Sequence, residues 1–324
     1  RGSGRVKKRE KIMKIVFAGT PLFAVKPLEK IIERGYEVVG AVVQPDKPQG
    51  RKGVLTPPPV KRFAAERGIP VLQPEKLRED ISALRALGGD VMITCAYGQI
   101  LTQAVLDLFP LGVWNIHASL LPKYRGASPI QSCVLAGETE TGVTVMKTAL
   151  GLDTGDMLLA LKTEIGAAET YGELSERLSL LGAEAVVKAL PLIESGNYTP
   201  EKQDEERASV VRKITKEQAK IDFSRSADEI VNLVRGMNPE PAAFSFLGEL
   251  RLNVYRAEAA SRPEGTENAR EGEILSDGPK QGFLVACKGG AVKLTEVQAA
   301  GGKRMRGADF LNGRKAEKGQ VFSC

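Results

Sequence analysis

Asn115 and His117 are separated by one residue, and His117 is the only histidine among 324 residues. In an extended segment, residues two apart project to the same side, so the amide and the imidazole can face one space. Their segment is halted by Ser119-Leu120-Leu121-Pro122, where proline fixes its own φ and removes a backbone donor. Further on, Leu150-Gly151-Leu152-Asp153-Thr154-Gly155-Asp156 forms a glycine-punctuated acidic loop about one hairpin away, close enough to return a carboxylate to the imidazole. An amide donor, an acid/base and a carboxylate that orients or charges it are suited to moving protons around a polarised carbonyl. Asp153 and Asp156 both qualify, but Asp156 lies nearer the next strand, which favours Asp153. A single histidine in an apolar stretch is ordinarily a hydrogen-bonded core residue, and the neighbouring asparagine a turn former. The acidic loop is what turns the reading toward chemistry.

The elements that must position these groups follow from the hydrophobic pattern. Lys14–Ala18 is an apolar run ending in Gly19-Thr20-Pro21, a strand-to-helix turn. Phe23, Val25, Leu28, Ile31 and Ile32 form a helical stripe up to Gly35, and Glu37–Val43 is a second strand. This βαβ unit predicts a parallel, right-handed arrangement. Gly19 belongs to no G-x-G-x-x-G pattern, so a dinucleotide site is not indicated. Val60–Gly68 and Leu77–Leu87 read as helices, and Asp90–Cys95 reads as a buried strand because its apolar run does not alternate. If Asp90–Cys95 neighbours Val113–His117, their C-terminal ends open on one crevice, shaped for a planar heterocycle lying against main chain. Gly142–Met146 and Met157–Lys162 are expected to pair across the Asp153 loop, and Thr170–Leu190 is a long helix.

Beyond Pro191 the sequence becomes polar, and Glu201–Arg207 (EKQDEER) reads as a linker. A helix over Ala227–Met237 is followed by short strands at Ala243–Phe246, Leu252–Ala257, Gly272–Leu275, Phe283–Ala286 and Val292–Val297. That spacing fits a small β-barrel or sandwich. The length is better served by two cores than one. The expected division is a leader over 1–12, an α/β domain over 13–200, a linker over 201–216 and a β domain over 217–324.

The net charge of +6 is concentrated at one end: residues 1–12 hold six Lys/Arg and one Glu, and the rest hold 40 against 39. Residues 1–12 read as a disordered leader, so total charge says little about nucleic acid. Local charge says more, because residues 280–324 hold nine Lys/Arg against three acids and residues 44–62 hold five against one. No stretch approaches the ~20 apolar residues of a membrane span. Cys95, Cys133, Cys287 and Cys324 are scattered, and with one histidine they offer no zinc set, so buried reduced thiols and no metal are expected.

Asn115–Gln131, reading NIHASLLPKYRGASPIQ, together with GLDTGD at Gly151–Asp156, resembles the folate-dependent formyltransferases. FAGTPLFAV at Phe17–Val25, QPDKPQGR at Gln44–Arg51, AYGQIL at Ala96–Leu101, IDFS at Ile221–Ser224 and Asn238-Pro239 belong to the same pattern, which thus runs from Met13 to the C-terminus. The resemblance is strongest to the branch that acts on initiator methionyl-tRNA. It implies a Rossmann-like catalytic domain whose chemistry lies away from Gly19, followed by an OB-like β-barrel. It also implies catalytic roles for Asn115, His117 and Asp153, and 10-formyltetrahydrofolate as co-substrate against Ser119, Leu120, Leu121, Pro122, Tyr97 and Gly98. The basic loop carrying Lys47, Arg51 and Lys52 corresponds to a tRNA-recognition insertion. Lys303, Arg304 and Arg306, with Arg314 and Lys315, are the candidates for a second tRNA contact. A cytoplasmic, monomeric enzyme is the expectation. Three other readings share some of these features: a glycinamide ribonucleotide formyltransferase, which normally ends after the first domain; a sugar-nucleotide formyltransferase; and a non-catalytic RNA-binding protein.

Overall fold

The computed structural model describes residues 12–50, 53–276, 278–313 and 316–323. The expected leader, apart from Ile12, lies outside them, as do Arg51, Lys52, Arg314, Lys315 and Cys324. The chain forms two compact units that are not contiguous in sequence. The first comprises residues up to 125, 142–162 and 176–210; the second comprises 126–141, 163–175 and 211 onward. No described helix is long and apolar enough to cross a membrane.

The first unit is built on a seven-stranded sheet. Its strands are β1 (Lys14–Gly19), β2 (Glu37–Val42), β3 (Val71–Leu72), β4 (Val91–Cys95), β5 (Val113–His117), β6 (Glu140–Lys147) and β7 (Met157–Glu164). The spatial order is β7-β6-β5-β4-β1-β2-β3. β1 pairs in parallel with β2 and β4, β2 with β3, and β4 with β5, whereas β6 runs antiparallel to β5. The expected βαβ start is present, and every residue of β4 is buried, as a strand covered on both faces must be. Gly19 is required where β1 ends, since a Cβ there would stand 2.8 Å from Ala24 Cβ and 2.9 Å from Cys95 O.

Three helical or loop expectations are modified. The Leu77–Leu87 helix shrinks to Ser82–Ala86, because Asp80 Oδ1 accepts from Ser82 N at 2.8 Å and ties the preceding residues into a turn. The long helix, Tyr171–Ser195, continues through Pro191; Leu190 and Ile193 are buried on either side of it, so packing outweighs the lost backbone hydrogen bond. The basic loop carrying Lys47 contains a small antiparallel ribbon, Lys47–Gln49 with Val54–Thr56.

The second unit holds an antiparallel sheet of β8 (Ala243–Leu247), β9 (Leu250–Ala260), β10 (Phe283–Cys287), β11 (Gly290–Ala299), β12 (Met305–Arg306) and β13 (Phe322–Ser323). The order is β10-β11-β9-β8-β13, with β12 paired to β11. Gly272–Leu275, expected as a strand, forms bridges instead, Ile274 to Val285 on one side and Glu273 to Val321 on the other. Further bonds from Gly272 N to Ala286 O and from Ile274 N to Gln320 O strengthen both connections. The segment therefore joins the two edges of the sheet and decides for a barrel over a sandwich. Its interior contains Phe223, Phe283, Phe310 and Phe322, with the Phe283 and Phe310 rings stacked at 5.7 Å. A capped helix, Ala227–Gly236, packs against this core; Ser226 and Glu229 close its N-terminus reciprocally. Near the C-terminus, Gly307–Asn312 is a helix with Phe310 buried, and Phe322 is in the core.

Candidate active site

His117 is the last residue of β5, and Asn115 lies on the same face two residues earlier. Strand register sets a threonine beside each of them. Thr94 of β4 pairs with Asn115, and Thr144 of β6 pairs with His117. Thr94 Oγ1 donates to Asn115 Oδ1 at 2.9 Å, which fixes the oxygen side of the amide and directs its Nδ2 toward the acidic loop. There Nδ2 lies 3.4 Å from Asp153 Oδ1. His117 Nε2 donates to Tyr124 O at 2.9 Å, and this bond assigns the proton on Nε2. Nδ1 is left facing the other carboxylate oxygen, 3.6 Å from Asp153 Oδ2. The two oxygens of one carboxylate thus face the amide and the imidazole separately.

The carboxylate at His117 is that of Asp153; Asp156 contributes its carbonyl to Lys147 N instead. Asp153 has φ 51°, in the left-handed region, which costs a non-glycine residue on the order of 1–3 kcal/mol unless its surroundings hold it. Gly155 makes the loop possible, because a Cβ would lie 1.7 Å from Lys147 O. His117 is 5% and Asp153 16% exposed, so the pair is largely removed from water.

The Ser119–Pro122 turn is held by the same framework. Thr144 Oγ1 donates to Ser119 O at 2.7 Å and accepts from Leu121 N at 3.2 Å. Ser119 Oγ donates to Lys123 O at 2.7 Å. Leu121 and Pro122 are buried, and Leu120 is half-buried. Tyr97 is buried in an apolar cluster with Val16, Leu77 and Phe109, while Ala96 and Gly98 on either side are exposed. This loop therefore offers its surface through backbone and Gly98 rather than through the tyrosine ring. The Tyr97 hydroxyl has no hydrogen-bond partner among the described residues, and burial pushes it up to about 12.

Thr94, Thr144 and Arg125 were not singled out from sequence. Thr94 ends an apolar run that reads as plain strand, and nothing local marks it as a partner of Asn115. Arg125 lies inside the Asn115–Gln131 motif; it is buried and forms a bidentate pair with Glu205 at 2.9 and 2.7 Å. Cys95, Cys133 and Cys287 are buried, unpaired thiols; burial pushes Cys133 up to about 11 and Cys95 further. Held in the thiol form, they are poor nucleophiles.

Among the basic candidates, Lys47 is exposed on the ribbon, and Lys303 is exposed beyond β11. The Arg304 guanidinium lies 3.4 Å over the Tyr255 ring, and Arg306 pairs with Asp309 at 2.9 and 3.0 Å.

A family described as formyl transferase matches residues 13–190, and its C-terminal domain matches residues 213–315. The chain is 48% identical to a methionyl-tRNA formyltransferase of Citrifermentans bemidjiense, over 96% of each chain. It is 44% identical to the methionyl-tRNA formyltransferase of Bacillus subtilis, over 95% of this chain and 97% of that one. The chain belongs to the methionyl-tRNA formyltransferase family. The wider formyltransferase fold extends to an N-formyltransferase from Helicobacter canadensis, solved with folinic acid and dTDP-3-aminofucose. That structure has a TM-score of 0.63 and 21% identity, and the match covers 86% of this chain and 98% of the other.

Proposed function

We propose that this chain transfers the formyl group of 10-formyltetrahydrofolate to the amino group of initiator methionyl-tRNA in the cytoplasm, with Asn115, His117 and Asp153 as catalytic residues. The observation that carries the reading is the convergence of the Asn115 amide and the His117 imidazole on separate oxygens of Asp153. Such a set suits an acyl transfer in which the acceptor amine is itself the nucleophile. The amine nitrogen bonds to the formyl carbon, a tetrahedral oxyanion forms, and the bond from carbon to N10 breaks. One proton leaves the attacking nitrogen and one is delivered to N10. The second hydrogen of Asn115 Nδ2 is the donor for the oxyanion, a contribution worth roughly 10²–10³ in rate. Asp153 and His117 Nδ1 carry the proton between the two nitrogens, worth roughly 10²–10⁴.

In this reading the formyl donor is a substrate that lies against the Ser119–Pro122 turn and the exposed backbone around Gly98. The folinic acid in complex with the H. canadensis N-formyltransferase supports a reduced folate of this kind. Residues 217–324 serve as a tRNA-binding domain, with Lys303 and Arg304 toward phosphates and Lys47, Arg51 and Lys52 as a second contact. Incubation with 10-formyltetrahydrofolate and methionyl-tRNA tests the reading, with uncharged tRNA and glycinamide ribonucleotide as controls. Formylated methionyl-tRNA alone is expected; formylation of the ribonucleotide and not of the tRNA would overturn it.

A further inference from the structure

The EKQDEER stretch, whose composition suggests a spacer, lies along the active site. Gln203 Nε2 donates to Asp153 O and to Gly155 O, both at 2.8 Å. Its Oε1 accepts from Arg125 Nε at 2.8 Å, and Arg125 is anchored in turn by Glu205. The segment is pinned at both ends. Glu201 and Met157 exchange two backbone bonds of 2.8 Å. Ser209 Oγ accepts from Tyr124 N at 2.8 Å, and Ser209 O accepts from Arg125 N at 2.8 Å. Tyr124 is the residue whose carbonyl accepts the His117 Nε2–H hydrogen bond. One strap therefore touches the loop that carries Asp153 and the loop that orients His117.

We propose that Gln203 is a positioning residue of the formyl-transfer site, one that holds Asp153 against Asn115 and His117 through the two carbonyls flanking Thr154. The inference rests on the functional reading above. Both hydrogens of the primary amide are used on those carbonyls, while its oxygen serves Arg125; no other side chain of this length supplies two donors and an acceptor together. The loop needs such a clasp because Asp153 sits at φ 51°, a conformation that does not persist without support. Gln203 touches no reacting atom in this scheme and acts only through Asp153.

The test compares Gln203→Glu and Gln203→Leu with the wild-type chain. Gln203→Glu keeps the length and the acceptor for Arg125 but has no donors for the two carbonyls. Both variants are expected to lower kcat about 10-fold or more, because a displacement near 1 Å of a reacting group has effects of that order, with KM for the formyl donor and for methionyl-tRNA within about twofold. The single histidine gives a second readout that does not depend on turnover. In Gln203→Leu, the nuclear magnetic resonance signals of the His117 imidazole should move from their wild-type positions toward those of Asp153→Ala. Unchanged kcat in both variants, a loss confined to KM, or a kcat loss with unmoved imidazole signals would overturn the positioning role. A wild-type chain that does not formylate methionyl-tRNA would instead overturn the functional reading.

Discussion

His117 directs its two nitrogens at different partners, the Tyr124 carbonyl and the Asp153 carboxylate, and the proposed mechanism depends on that division. The Nε2 bond fixes the ring; in the proposed mechanism the Nδ1 side exchanges protons. His117→Ala should therefore lower kcat by roughly 10²–10⁴ while the formyl donor binds as before, checked by single-turnover transfer and folate titration; near-full transfer would remove it from the mechanism. Asn115 is organised in the same way, with its oxygen held by Thr94 and its nitrogen directed at the site. Thr94→Val removes the donor to that half-buried oxygen and frees the amide to turn. Turnover should drop in Thr94→Val and recover in Thr94→Ser, measured as kcat alongside the thermal midpoint. Equal activity in both would mean that Asn115 is oriented by something else.

At the level of elements, the Asp153 loop and the Ser119–Pro122 turn are positioned by neighbours distant in sequence. Gly155 lets the loop approach β6, and with a Cβ meeting Lys147 O at 1.7 Å the Gly155→Ala loop must shift. Its kcat is expected to fall on the order of 10²-fold, read in the transfer assay; wild-type turnover would show that Asp153 does not need this loop path. Arg125 and Glu205 join the strap to the turn. The guanidinium holds the Glu205 carboxyl below its ordinary value of 4.5. A carboxyl depressed in the folded state adds stability that is fully present above the ordinary value and is lost as pH falls through the depressed one. The difference in Tm between wild type and Glu205→Gln should thus be largest near neutrality and close in acid. A difference that stays constant with pH would mean that the charge is not what the pair contributes.

For the whole molecule, the first unit carries Asn115, His117 and Asp153 on a predominantly parallel sheet, and the second is a barrel with a basic end. Lys303 is exposed and the Arg304 guanidinium stacks on Tyr255, which leaves both charges at the barrel surface. Phosphate contacts release counterions, so each one lost reduces the salt dependence of binding by about one unit of slope. Lys303→Glu with Arg304→Glu should raise KM for methionyl-tRNA and flatten its salt dependence, with KM for the formyl donor unchanged. An unaltered slope would take these residues off the tRNA surface. Arg306, engaged by Asp309 at 2.9 Å, is the weaker candidate of the three.

Much of this was legible in the chain because it depends on local order. Periodicity two sets Asn115 and His117 on one side of β5, apolar runs mark β1, β2 and β4, and the glycines of the acidic loop announce a tight path. The Leu77–Leu87 helix and the Gly272–Leu275 strand were misjudged where a side-chain turn or a pair of sheet edges outweighed local preference. What only the tertiary structure decided are contacts between residues far apart along the chain: Thr94 with Asn115, Thr144 with the Ser119 turn, Gln203 with the Asp153 loop, and Ile274 between two edges. A sequence pattern records which face a residue presents, since that follows from backbone geometry within a few residues. It does not record which partner meets that face, because that depends on strand order and register across the whole sheet.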